Sequence, residues 1–160
     1  KEGNVDFAVV SAPFQIEKPL KKITLRKYHD ILISGKRYRE LKGKQLSIRQ
    51  LSKYPWISLT SEAITRKFLN QYFEKNGLKF EPDIELATTD MILPAVRHNL
   101  GIGFIPPEFA TDDLDSEEIF EIHVQETFPE RNITLIYDTE YPQSIAAKEF
   151  LKFLNDTTTL

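Results

Sequence analysis

Hydrophobic and polar positions along the chain switch repeatedly between a period of two and a period near 3.6. Val5 to Val10 is almost uniformly apolar, β-branched or aromatic, which predicts a buried, central strand covered on both faces. Ser11-Ala12-Pro13 ends it, and residues 15–22, with Pro19 and four lysines or acids, read as a solvated connection. Ile23-Thr24-Leu25 and Ile31-Leu32-Ile33 predict two more strands. Ser47 and Gln50 have capping-box spacing for a short helix through Leu51. Trp56 to Leu59 predicts a strand after Pro55. Thr60 and Ser61 then offer N-caps for a helix that buries Ile64, Phe68 and Tyr72, with Leu69 and Phe73 beside them and Gly77 as its stop.

The stretch from Asp83 to Pro106 repeats this organisation. Ile84 and Leu86 alternate with Asp83 and Glu85, as in a strand. Thr88, Thr89 and Asp90 are N-cap residue types, and Ile92, Val96 and Leu100 follow on one helical face. Gly101 is the expected helix stop, and Gly103 lets the short strand at Phe104-Ile105 pass close to a neighbour. Twice, then, a strand delivers hydroxyls to a helix N-terminus, which favours anionic groups. Read locally, these hydroxyls simply cap helices.

Beyond Pro106-Pro107, the acids from Asp112 to Glu118 read as a surface loop, and Ile119 to Val124 as an exposed strand. Ile133 to Tyr137 predicts a strand. Pro142 and Ser144 open a last helix lined by Ala147, Phe150, Leu151 and Leu154, and Asn155 to Leu160 reads as a polar tail. Strands separated by helices imply an α/β protein with largely parallel pairing, whose ligands sit at the carboxyl ends of strands.

Composition narrows the function. Of 160 residues 41% are hydrophobic, enough for a real core, and the formal net charge of −3 argues against a broad nucleic-acid surface. The basic run Lys36, Arg37, Arg39, Lys42 and Lys44 is short and reads as a solvated surface. There is no cysteine, hence no disulfide framework. No apolar run is long enough to span a membrane. The chain opens on Lys1-Glu2-Gly3 without an initiator methionine and reads as part of a longer protein. His29, His98 and His123 lack metal-ligand spacing, Gly101-Ile102-Gly103 is not a phosphate loop, and no Gly-x-Ser-x-Gly elbow occurs. No cofactor or metal and no catalytic residue is expected, so an enzyme is disfavoured.

Val-Asp-Phe-Ala-Val-Val after Gly3 resembles a strand motif of LysR-type transcriptional regulators, and Arg97-His98-Asn99-Leu100-Gly101-Ile102-Gly103-Phe104-Ile105-Pro106 resembles another of their segments. The Leu-x-x-Tyr-Pro-Trp-Ile strand, the Arg66 helix and the Pro-x-Ser-x-Ala-x-x-Phe helix follow in the order that family has. Asn99 departs from it, standing where the family often has glycine or a small residue.

The resemblance implies an effector-binding domain of the type II periplasmic-binding-protein fold: two α/β lobes with a small molecule between them, lobe one incomplete. Residues 1–27 and 134–160 would belong to lobe one and 28–133 to lobe two. The expected function is sensing of a small anionic effector by a cytoplasmic regulator, through Ser11, Thr60, Ser61, Thr88 and Thr89. DNA would be contacted only by a helix-turn-helix outside this chain, with no membrane partner. An exposed sheet edge in the partial lobe predicts self-association through effector domains, with Thr65, Leu69 and Phe73 on the partner face of lobe two. A transporter-associated solute receptor and an enzyme on the same fold are the alternatives; a signal peptide upstream would favour the first and turnover the second.

Overall fold

A computed structural model describes residues 5–11 and 16–157, with side chains through Leu154. The opening Lys1-Glu2-Gly3, the stop at Ala12-Pro13 and the end of the expected polar tail lie outside the described residues. The chain forms two compact units, Lys1–Tyr28 with Glu130–Leu160, and His29–Pro129.

The first unit holds strands β1 (Phe7–Ser11), β2 (Leu20–Tyr28) and β9 (Arg131–Asp138) and helix α5 (Ile145–Thr157). The sheet order is β1-β9-β2, antiparallel throughout. β2 runs well beyond Ile23–Leu25 on both sides, because pairing with β9 extends the strand into residues whose charges suggested a loop. Leu135 of β9 and Ala147 and Leu151 of α5 are buried, and Phe7 stacks on Phe150 with centroids 5.2 Å apart. Ser144 caps α5: its Oγ accepts from the Ala147 N–H at 3.1 Å and donates to Asp6 at 2.8 Å. Within this chain β1 is a sheet edge rather than a central strand, and Val9 is 53% exposed.

The second unit carries a six-stranded sheet in the order β4-β8-β3-β7-β5-β6. Its strands are β3 (Ile31–Gly35), β4 (Gln45–Leu46), β5 (Trp56–Leu59), β6 (Ile84–Leu86), β7 (Ile102–Ile105) and β8 (Ile119–Val124). Pairing is parallel for β4–β8, β5–β6 and β5–β7, and antiparallel where β3 meets β7 and β8. Strand alternation sends Leu32, Trp56, Ile102 and Phe104 to one face, where α2 (Ile64–Lys75) supplies Phe68, Leu69, Tyr72 and Phe73. Ile31, Ile33, Ile57, Leu59 and Ile105 go to the other, under Ile92 and Val96 of α3 (Ile92–Arg97). Helices on both faces explain why these strands are continuously apolar. The capping box forms as the spacing requires: Ser47 Oγ accepts from the Gln50 N–H at 3.2 Å, and Gln50 Oε1 accepts from the Ser47 N–H at 2.9 Å, opening α1 (Ile48–Leu51).

Several expectations are corrected. Leu69 and Phe73 are 2% and 3% exposed inside the core of this chain, so they offer no face to a partner, whereas Ile64 is 48% exposed. The sheet meets α2 on a face rotated from the one first read, because Trp56, Phe80 and Phe104 form an aromatic cluster that takes in Phe73 and Tyr72. β8 is partly buried: Ile119, Phe120 and Ile122 are in the core, while the Glu121 and His123 side chains remain 41% and 59% exposed. The acidic segment contains a short helix, α4 (Thr111–Asp115), and the basic run a 3-10 helix at Lys36–Leu41. α3 ends at Arg97, leaving Leu100 exposed. Asn99, not Gly101, takes the left-handed turn at φ 64°, a conformation Asn tolerates well, and its Oδ1 accepts from the Arg37 N–H at 2.7 Å. Gly101 serves packing: a Cβ there would lie 2.5 Å from the Pro55 carbonyl oxygen.

Candidate functional site

The parallel ladder of β5 and β6 pairs Ile57 with Ile84, Ser58 with Glu85 and Leu59 with Leu86. Both chains therefore leave the sheet side by side, and the Thr60 N–H still donates to the Leu86 carbonyl at 3.1 Å. Thr60 and Ser61 follow one strand and Thr88 and Thr89 the other, at the same carboxyl edge of the sheet.

The register is locked from both ends. At the start, the Trp56 N–H donates to Asp83 Oδ2 at 2.8 Å and the Asp83 N–H to the Trp56 carbonyl at 2.9 Å. At the exit, buried Arg66 reaches back from α2. Its Nη1 donates to the Leu59 carbonyl at 3.1 Å and to Glu85 Oε1 at 2.6 Å, and its Nε to Asn70 Oδ1 at 3.0 Å. The guanidinium lies 5.2 Å from the Phe80 ring centroid. Arg66 thus ties the last residue of β5 to β6, just before the hydroxyl-bearing turn. Sequence reading placed Asp83 and Glu85 on a strand and Arg66 on a helix but assigned none of them this role.

The hydroxyls are not caps. α2 begins at Ile64 with Ala63 at its N-cap and no side-chain cap, because Thr60 opens a turn closed by the Ala63 N–H donating to the Thr60 carbonyl at 3.0 Å. Ser61 Oγ donates to Glu62 at 3.3 Å. Thr88 occupies the N-cap position of a 3-10 turn, Thr89–Met91, again without a side-chain cap bond. Thr60, Ser61 and Thr88 are exposed and Thr89 is half-buried. Exposed Ile64 and Met91 flank them in sequence, adding apolar surface to a hydroxyl-rich edge.

The two helix starts differ electrostatically. The first turn of α2 has no acid, while Asp90 already occupies that of the 3-10 turn. Glu62 stands just before the α2 N-cap, where it accepts from Ser61 and lies 3.7 Å from Lys67 Nζ.

Ser11 lies in the other compact unit, at the end of β1 opposite Ile133, where buried Arg131 donates from Nη2 to its Oγ at 3.4 Å. Arg131 also lies 5.2 Å from the Tyr28 ring centroid. Among the described residues no cluster of three or more His, Cys, Asp or Glu could hold a metal ion, and no helix is long and apolar enough to cross a membrane.

Comparison with known proteins agrees with this architecture. The family model described as LysR substrate binding domain matches residues 1–159. The HTH-type transcriptional activator CmpR of Synechocystis is 26% identical over 125 residues, covering 78% of this chain and 41% of CmpR. The HTH-type transcriptional regulator YeiE of Escherichia coli K12 is 28% identical over 108 residues, covering 68% of this chain and 37% of YeiE. The chain thus spans about two fifths of the length of these relatives. The regulatory domain of Synechocystis CcmR, solved with 2-PG, superposes with a TM-score of 0.82 at 21% identity, over 98% of this chain and 74% of that one. The effector-binding domain of QuiR, solved with shikimate, gives 0.78 at 16%, over 93% and 69%.

Proposed function

We propose a function from one premise: the chain belongs to the LysR substrate binding domain family. It is the effector-sensing part of a transcriptional regulator, and the observation that carries this reading is the match of that family across residues 1–159. His29–Pro129 is lobe two, and the other compact unit is part of lobe one. The chain senses rather than catalyses, in the cytoplasm, and DNA is contacted by a helix-turn-helix region of the full protein. Effector domains associate with one another, a reading supported by the open β1 edge with exposed Val9.

Thr60, Ser61, Thr88 and Thr89 of lobe two bind the effector. Support comes from hydroxyls freed from capping at the ends of two neighbouring strands. The effector is a small anion whose charged group meets the α2 N-terminus, where such placement contributes roughly 0.3–1 kcal/mol or more when partly buried. CcmR with 2-PG and QuiR with shikimate are relatives of the kind this reading predicts.

The test is a thermal-shift screen of small metabolites on the complete effector domain. A ligand at 100 times its Kd stabilises by about 2.7 kcal/mol, a rise of roughly 5–10 °C for a domain this size. Thr60→Val and Thr88→Val should each weaken the hit about 3–10-fold, the worth of one hydrogen bond. A screen with no stabilising compound overturns the sensing role; stabilisation by cations or neutral apolar compounds alone overturns the anionic effector.

A further inference from the structure

The basic run divides in two in the folded chain. Lys36 Nζ sits 2.6 Å from Glu118 and Lys42 Nζ 2.8 Å from Glu117, and the hydrogen bond from Lys42 holds the Glu117 carboxyl below its ordinary range. Lys44, at the end of the run, is not neutralised, nor are two cations that follow it in sequence. Lys44, Arg49 of α1 and Lys53 line a hollow of about 370 Å³ together with Leu41, Leu46 and Tyr54. None of these three cations makes an ion pair with a described residue; Lys53 Nζ lies 5.3 Å from the Tyr54 ring centroid. The Tyr54 hydroxyl donates to Glu40 at 3.3 Å, and no acid is among the residues lining the hollow.

We propose that this hollow is a binding site for a small compound carrying two or more adjacent phosphate-type groups. Three like charges around one concavity repel one another, and a multiply charged anion relieves that repulsion while gaining charge-assisted hydrogen bonds. The Arg49 fork suits phosphate oxygens, and the lysines add point charges. Buried Leu41, half-buried Leu46 and the Tyr54 ring give an apolar wall for an attached carbon skeleton. The volume suits a small molecule rather than a polymer, and the chain's net charge of −3 disfavours extended nucleic acid. The hollow lies by β4, at the opposite sheet edge from β6 with Thr88 and Thr89, so the proposal does not rest on the effector site.

The experiment is calorimetric titration of the 160-residue chain with inorganic triphosphate at low ionic strength, beside sulfate and an oligoglutamate peptide. Saturable one-site binding of triphosphate, at least tenfold weaker in Arg49→Gln/Lys53→Gln and unchanged in Lys79→Gln, supports the site. These cations are exposed, so the double variant should keep the wild-type melting midpoint; should it not, Lys44→Gln is read in its place, with at least threefold weakening expected. Equal affinity in wild type and variants, sulfate binding as tightly as triphosphate, or tighter binding of oligoglutamate overturns it.

Discussion

Arg66→Leu isolates the tie that holds the two hydroxyl-bearing strand ends together. The substitution keeps the aliphatic bulk against Phe80 and deletes the guanidinium. Three consequences differ in size. The Leu59 carbonyl, in a buried residue, loses the donor 3.1 Å away, and a stranded buried acceptor costs about 1–3 kcal/mol. The Glu85 side chain is 44% exposed, so its carboxylate returns to water and the lost ion pair is worth only about 0–1 kcal/mol. Asn70 is exposed and re-solvates. The expected loss is about 2–3 kcal/mol, set mainly by the carbonyl and not by the charge pair. Trp56 is the only tryptophan and sits in the core of the same unit, so urea unfolding followed by its fluorescence reports this unit directly. The midpoint should fall with an unchanged m-value. Glu85→Gln alone should cost under about 1 kcal/mol, and the double variant should reveal a coupling of roughly 0.5–1 kcal/mol. If Glu85→Gln costs as much as Arg66→Leu, or Arg66→Leu costs less than about 0.5 kcal/mol, the carbonyl tie is not what locks the register.

Leu69→Ala should cost about 2–5 kcal/mol in the same assay, as for a buried leucine, and leave light-scattering mass unchanged; a change in association without loss of stability would restore that residue to an interface. Tyr72 gives an alkaline signature. Burial, and then nearby Glu126, push its hydroxyl above the ordinary value near 10, and it donates to the Glu126 carbonyl at 3.0 Å. The folded state keeps a proton that the unfolded state releases, so its contribution is complete below about pH 10 and declines as pH rises from there towards the folded pKa. Stability measured from about pH 8 to about pH 11 should fall more steeply in wild type than in Tyr72→Phe; parallel curves would refute this.

The sequence by itself determined most elements of the His29–Pro129 unit and the family, because those signals are local. Capping-box spacing at Ser47 and Gln50, the φ of +70° that Gly77 accepts at the end of α2, and the apolar runs of β5 and β7 each depend on neighbours within a few residues. The hydroxyls at Thr60, Ser61, Thr88 and Thr89 were equally visible as residues following strands. Tertiary structure decided which face each element buries. α2 has apolar side chains around about half its circumference, so Ile64 against Leu69 and Phe73 is settled only by where the Trp56 and Phe80 rings stand. β8 alternates like a surface strand, yet Ile119, Phe120 and Ile122 are buried because β3, far away in sequence, pairs along them and places them in the core, while His123 stays exposed. β2 outgrew its apolar segment because a paired backbone stabilises strand geometry that its side chains do not favour. The same holds at the candidate site. Neighbouring strand ends come from the β5–β6 register, and that register depends on Asp83, Arg66 and Glu85, whose hydrogen bonds join residues up to 27 positions apart and leave no periodic trace in the chain.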